Sequence, residues 1–205
     1  MRDIELCIKR IFDVVSSIIG IILTLPLMII IAILIKVTSA GPVFFTQDRL
    51  GKNGKAFKII KFRTMIVNAE KEGDGLFINS ENDYRITKIG RFLRATSLDE
   101  LPQLFNVLKG DMSLVGPRPP VTYHPYKYAD YSNEQKKRFE MRPGITGLAQ
   151  VIVRNSVPWD ERIRIDVEYV EKFSIWLDFK ILLMTFLKIL KRENIYYKPN
   201  NEYMH

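Results

Sequence analysis

The chain predicts an α+β protein, mainly α, in which an apolar N-terminal membrane helix precedes a small globular domain with a short β-hairpin. Three observations lead there. Val14 to Ile35 is a run of 22 residues without one charge, and a bilayer-deep helix needs about 20. Two β-prone segments come next, separated by a turn-rich stretch. From residue 84 onward the dominant signals are helical.

Composition limits what the domain can be. The 205 residues are 47% apolar and 26% charged, which supports one packed core and excludes disorder across the chain. Lys and Arg number 31 against 23 Asp and Glu, a formal net charge of +8. Such an excess suits a phosphate-bearing partner, whether nucleic acid, nucleotide or anionic lipid. Cys7 is the single cysteine, so an internal disulfide and a cysteine-based zinc cluster are excluded, and a reducing compartment fits. With only His124 and His205, any bound metal is a hard cation held by carboxylate oxygen.

The apolar run is flanked by Lys9 and Arg10 before it and Lys36 after it. It exceeds the ~7–15-residue core of a signal peptide, and no small-residue cleavage site comes after it. Pro26, near its middle, removes a backbone hydrogen bond and bends the helix. Basic residues at both ends leave the charge rule for orientation silent. A bent helix that enters and leaves through one face and a straight crossing both stay open. Val43-Phe44-Phe45-Thr46 reads as a strand, Leu50 to Gly54 as a turn, Ala56 to Phe62 as a second strand and residues 68–83 as a surface loop. Helices are predicted over roughly 84–95, 101–109, 133–140 and 159–171. In Ile175 to Arg192, Trp176, Phe179, Leu183, Phe186, Leu187 and Leu190 share an apolar side. That segment is either a core helix or an interfacial one among lipid headgroups, the aromatic start and basic finish favouring the second.

The chemistry centres on Ser97-Leu98-Asp99-Glu100-Leu101-Pro102-Gln103-Leu104. Ser97 with Glu100 fits a capping box, but Pro102 argues for a helix that begins near Pro102 and closes at Gly110. Asp99 and Glu100 then lie just ahead of a helix N-terminus, where backbone N–H groups favour anions. In Asp111 to Pro120, three prolines and Gly116 stiffen the backbone around Arg118, and a pre-organised guanidinium matches phosphate in a bidentate manner. Arg142-Pro143-Gly144-Ile145-Thr146-Gly147 repeats the pattern, Arg154-Asn155 comes shortly after, and Lys61-Phe62-Arg63-Thr64 with Arg91 and Arg94 add cations. Each segment alone reads equally as a rigid turn or a solvated charge. Together they suggest a polyanionic ligand.

These segments, in this order, resemble the bacterial sugar transferase family, the small monotopic phosphoglycosyl transferases. The strings that carry the likeness are Lys9-Arg10-Ile11-Phe12-Asp13, Gly41 to Gln47, Lys61-Phe62-Arg63-Thr64-Met65, Ser97 to Gln103, Asn106 to Pro119 and Arg142 to Gly147, within residues 7–192. The resemblance implies a membrane re-entrant helix over residues 1–37, broken at Pro26, and a small cytoplasmic catalytic domain with interfacial amphipathic helices over 38–192. Residues 193–205 are left as a C-terminal tail. The resemblance also implies transfer of a sugar 1-phosphate from a UDP-sugar to undecaprenyl phosphate, with UMP released, as a first membrane step of glycoconjugate assembly. Asp99 is then the nucleophile and a ligand of Mg²⁺, and Glu100 is its dyad partner, orienting the metal or the incoming phosphate. Lys61, Arg94, Arg118 and Arg154 match positions of the phosphate pocket, and Asp166 matches a further acidic position.

Implied partners are the two substrates, the lipid bilayer and downstream glycosyltransferases, without nucleic acid. The implied location is the cytoplasmic face of a bacterial inner membrane. Two departures stand out. Residues 148–155 read Leu-Ala-Gln-Val-Ile-Val-Arg-Asn where the family often has Trp-Ala-Gln-Val-Asn-Gly-Arg-Asn. Leu25-Pro26 replaces the family's frequent Ser-Pro, leaving Thr24 as the nearest hydroxyl. The rival reading is a membrane-tethered anion-binding or scaffold protein without catalysis.

Overall fold

The computed structural model describes residues 2–72, 83–153 and 156–190. Helix α1 runs from Arg2 to Thr38 as 37 residues. By length and composition it is the one described helix able to cross a membrane. Pro26 does not end the helix, which continues through it. The proline forfeits only its own N–H bond to the fourth preceding carbonyl, and turns on both sides hold the geometry. Thr24 does not replace that bond, since its hydroxyl donates to the Gly20 carbonyl at 2.7 Å.

Helix α1 also begins well before the apolar run, for a tertiary reason. Its buried residues are Lys9, Asp13, Ser17, Met28, Ile31 and Ile35, and the charged ones among them find partners in the domain. Most of the other apolar side chains point outward, among them Ile11, Val15, Ile22, Leu23, Ile29 and Ile33.

Strands β1 (Phe44–Leu50) and β2 (Ala56–Phe62) pair antiparallel from Phe44↔Phe62 to Leu50↔Ala56. Asn53 and Gly54 between them take left-handed φ of 55° and 73°, which suits those two residue types. Helix α2 (Lys88–Thr96) starts four residues later than the sequence suggests, because the Thr87 hydroxyl caps it by accepting from the Gly90 N–H. A 3₁₀ turn over Leu98–Glu100 leads to α3 (Gln103–Lys109), which is entered at Pro102 and closed at Gly110 as expected.

Strand β3 (Ser113–Val115), helix α4 (Asn133–Lys136), strand β4 (Gly144–Thr146) and helix α5 (Leu148–Ile152) come next. The capping box lies at Ser132 and Gln135 of α4. Helices α6 (Trp159–Glu171) and α7 (Ile175–Leu190) complete the described chain. β3 and β4 pair parallel, Ser113↔Gly144 and Val115↔Thr146, a pairing that the sequence does not announce. Their backbones approach so closely that a Cβ on Gly144 would lie 2.1 Å from the Gly116 nitrogen.

Two apolar clusters join the helices to the rest of the domain. Met28, Ile31 and Ile35 of α1 pack with Phe62 and Leu93. Val115, Met141, Val151, Tyr169, Val170 and Ile181 join β3 to α6 and α7. Helix α7 therefore combines a core face with an outward apolar one: Ile181 is fully buried, while Trp176, Phe179, Leu183, Phe186 and Leu187 are exposed. The expected 68–83 loop falls partly, and the 193–205 tail wholly, outside the described residues.

Asn106 staples the hairpin to α3. Its side-chain oxygen accepts from the Ile60 N–H at 3.0 Å and its amide donates to the Lys58 carbonyl at 2.8 Å, so the outer edge of β2 is paired by a side chain. Asn106→Ala leaves two backbone groups short of partners and is expected to destabilise the fold by about 2–4 kcal/mol. Thermal or denaturant unfolding in detergent, compared with the wild type, measures this; an unchanged midpoint refutes it.

Candidate active site

The 3₁₀ turn carrying Asp99 and Glu100 is set by its neighbours. Ser97 takes a left-handed conformation (φ 57°) that closes α2 and turns the chain. Its side chain makes no cap hydrogen bond, so the Ser97–Glu100 capping box does not form. Leu98 and Leu101, on either side of the two acids, pack against the cluster built on Met28, Ile31, Ile35, Phe62 and Leu93. The carboxylates are thereby fixed directly beside the C-terminal half of α1.

Two cations converge on Glu100. Lys61, from β2, donates to Glu100 Oε1 at 2.6 Å, and Arg118, from the loop after β3, donates to the same oxygen at 3.1 Å. Burial alone would raise the Glu100 pKa, but Lys61 and Arg118 outweigh it and hold the group well below the usual carboxylate range. Burial lowers the Lys61 pKa against the pull of Glu100. Glu100, ahead of burial, raises that of Arg118. Arg94 donates through Nε to the Thr64 hydroxyl at 2.9 Å and lies near enough to influence Asp99.

Asp99 is the contrast. Neither Lys61 nor Arg118 donates a hydrogen bond to its carboxylate, and its pKa is pushed up to about 6. Burial is the main cause, Glu100 adds to it, and Lys61, Arg94 and Arg118 oppose it. A 3₁₀ turn separates successive side chains by about 120°, so the two acids meet the same cations differently: Glu100 accepts their hydrogen bonds, and Asp99 feels their charge without them.

The structure thus brings together Asp99, Glu100, Lys61, Arg94 and Arg118. Arg154 lies outside the described residues. Asp166 does not join Asp99 and Glu100. It is buried and paired with Arg138, whose Nη2 also donates to the Arg118 carbonyl. A carboxylate on α6 that is buried needs such a partner, and Asp166 reaches the site only through Arg138. Sequence reasoning missed Arg138, and it quoted Thr64 and Asp13 within motifs without giving them a role. An acid one turn from Lys9, ahead of a long apolar run, is the signal for Asp13.

Among the described residues, no three His, Cys, Asp or Glu side chains gather as a metal cage. Glu100 Oε1 already accepts from two cations, so Asp99, which accepts from neither, is the freer of the two carboxylates for a hard metal. One carboxylate suits Mg²⁺, which keeps water and takes phosphate oxygens as further ligands.

The profile of the bacterial sugar transferase family matches residues 4–192. The galactosyl transferase CpsE of Streptococcus agalactiae is 44% identical over 196 residues, covering 91% of this chain and 43% of that protein. A UDP-glucose:undecaprenyl-phosphate glucose-1-phosphate transferase of Klebsiella pneumoniae is 42% identical, with 92% and 41% covered. A protein of the same name from Caulobacter vibrioides is 44% identical, with 92% and 72% covered. The chain spans about two-fifths of the length of the first two.

The electrostatics give a titration. The Asp99 carboxyl should lose its proton near pH 6 while Glu100 stays ionised throughout. Glu100→Gln removes a charge that raises the Asp99 pKa and frees Lys61 and Arg118 to lower it further, so the midpoint should move to lower pH. Carbon-13 shifts of labelled Asp99, followed over roughly two pH units on either side of that midpoint, read both. An upward move refutes the arrangement.

Proposed function

The chain belongs to the bacterial sugar transferase family, and we propose that it moves a sugar 1-phosphate from a UDP-sugar to undecaprenyl phosphate, releasing UMP. The observation that carries this reading is the division of labour in the dyad. Glu100 is occupied by Lys61 and Arg118, and Asp99 is left as an unengaged carboxylate beside the same cations. The names of two relatives state this chemistry for glucose 1-phosphate, and a third is named a galactosyl transferase.

In the first step, an Asp99 carboxylate oxygen attacks the phosphorus that bears the sugar. An O–P bond forms, the phosphoanhydride bond to UMP breaks, and UMP leaves with the electron pair. The product on the protein is an aspartyl phosphosugar. In the second step, a phosphate oxygen of undecaprenyl phosphate attacks the same phosphorus. The Asp99 carboxylate leaves, and a polyprenyl diphosphosugar is released. Above a pKa of about 6 the carboxylate is charged without a base, so the barrier to overcome is repulsion between anions.

Arg118, Lys61 and Arg94 are the groups here that oppose that repulsion and hold charge on the phosphoryl oxygens. Glu100 sets the positions of Lys61 and Arg118 and keeps them charged. Mg²⁺, when held at Asp99, supplies further neutralisation of the diphosphate.

The membrane reading rests on α1. Lys9 and Asp13 near one end, and Met28 to Ile35 towards the other, are buried against the same domain. Lys9 to Ile35 spans about 39 Å of helix at 1.5 Å per residue, more than the hydrocarbon core is thick. A straight crossing would place those two contacts on opposite sides of the bilayer. We therefore read α1 as entering and leaving through one leaflet, with its outward apolar face and the exposed face of α7 in the lipid. The cytoplasmic face of the inner membrane and downstream glycosyltransferases that consume the product are what the family resemblance implies for such a domain.

Asp99→Asn should lower UMP release by on the order of 10³-fold or more, with the fold intact. Wild-type protein given labelled UDP-sugar without the lipid should carry a hydroxylamine-sensitive label on Asp99. Near-normal turnover by Asp99→Asn refutes the covalent scheme, and absence of UMP release with any UDP-sugar tested refutes the transferase.

A further inference from the structure

The proposed reaction uses no side chain from α1, yet that helix contains a buried acid with a specific task. Asp13 is 2% exposed. Its two oxygens accept from the Ser113 hydroxyl at 2.7 Å and the Leu114 N–H at 3.0 Å. Both donors lie on β3. Nearby, Lys9 pairs with Asp178, which also accepts from the Tyr169 hydroxyl at 2.7 Å. Arg10 donates to the Val107 and Leu108 carbonyls at the end of α3.

From Leu114 the chain reaches Arg118 in four residues, and none of them has slack. The Gly116 N–H donates to the Thr146 carbonyl at 2.9 Å, and the Gly144 N–H donates to the Pro117 carbonyl at 3.0 Å. A Cβ on Gly116 would lie 2.4 Å from the Arg142 carbonyl oxygen, so the strand cannot shift sideways there. Pro117, Pro119 and Pro120 have fixed φ. Beyond Arg118, the Arg49 guanidinium donates to the Pro119 carbonyl and the Leu50 N–H to the Pro120 carbonyl. β3 and Arg118 thus belong to one stretch whose backbone is hydrogen-bonded or fixed in φ at nearly every step.

The other cation on Glu100 is referenced to the other end of the same helix. Arg63, two residues after Lys61, donates to the carbonyls of Ser39 and Ala40, immediately beyond α1. We propose that Asp13 is a positioning residue for Arg118: the membrane helix is a splint that sets the spacing of the two cations on Glu100, rather than a tether alone. The inference rests on the reading of Arg118 as a phosphate-binding group.

The experiment is a double-mutant cycle on the full chain in detergent, reading kcat/KM for UMP release from UDP-sugar and undecaprenyl phosphate. Arg118→Ala should cost on the order of 10²-fold, the scale of one lost transition-state donor. Asp13→Ala should cost about 10-fold, as a displaced group does, but less than about twofold when Arg118 is already Ala, because the two act as one unit. Asp13→Asn, whose amide still accepts from Leu114 and donates to the Ser113 hydroxyl, should restore activity to within about threefold of wild type. Ser113→Ala, which removes only the hydroxyl half of the contact, carries the same cycle where Asp13→Ala does not fold. An equal loss from Asp13→Ala or Ser113→Ala in both backgrounds overturns the inference, as does wild-type activity in both. Full activity of Arg118→Ala overturns instead the reading of Arg118 on which it rests.

Discussion

Glu100 accepting from both Lys61 and Arg118 is the contact on which the rest of the site depends. A carboxylate this buried is stable as an anion only if cations meet it, and the two that do so come from segments far apart in sequence, β2 and the loop after β3. Once they are committed to Glu100, Asp99 receives their field without their hydrogen bonds. Burial then prevails at Asp99 and its pKa rises to about 6, while Glu100 remains ionised. Two adjacent acids acquire opposite characters, which is how a site assigns different tasks to like groups.

That arrangement explains the local geometry around the dyad. In an α-helix, neighbouring side chains sit about 100° apart; in the 3₁₀ turn the angle widens. Ser97 in the left-handed region ends α2 early enough for the turn to form, and Pro102 starts α3 late enough to leave it intact. Leu98 and Leu101 provide apolar anchors on either side against the α1 cluster. The turn cannot rotate to exchange the two acids without exposing one leucine and pulling Glu100 from its cations.

Much of this is legible in the sequence because it is local. The hairpin announces itself by β-prone segments about a Lys-Asn-Gly turn, and α3 by Pro102 and Gly110 at its two ends. The cations Lys61, Arg94 and Arg118 are legible only through their motifs. What the sequence hides is long-range. The β3–β4 pair has strands of three residues, too short for any period, and depends on Gly116 and Gly144 meeting across the fold. Asp166 reads as a site acid because its motif matches, but its buried position and its partner Arg138 are set by the packing of α6. Pro26 reads as a break because proline removes one bond; the helix runs on through it because the domain packs against α1 on both sides.

The same grip changes what the N-terminal helix means. A helix that only tethers needs an apolar surface and nothing else; buried charges within it cost free energy and need partners. In α1 those partners are in the domain: Asp178 for Lys9, β3 for Asp13, and the C-terminal carbonyls of α3 for Arg10. Apolar residues of the same helix face the dyad from the other side of the turn. The outward face of α1 is apolar and its inward face is part of the core beside the acids, so the distance from the carboxylates to that outward face is fixed by packing. In the proposed transfer a water-soluble sugar nucleotide and a lipid-bound phosphate meet at one carboxylate, and the contact between α1 and the Leu98–Glu100 turn is what would hold that carboxylate at a constant depth.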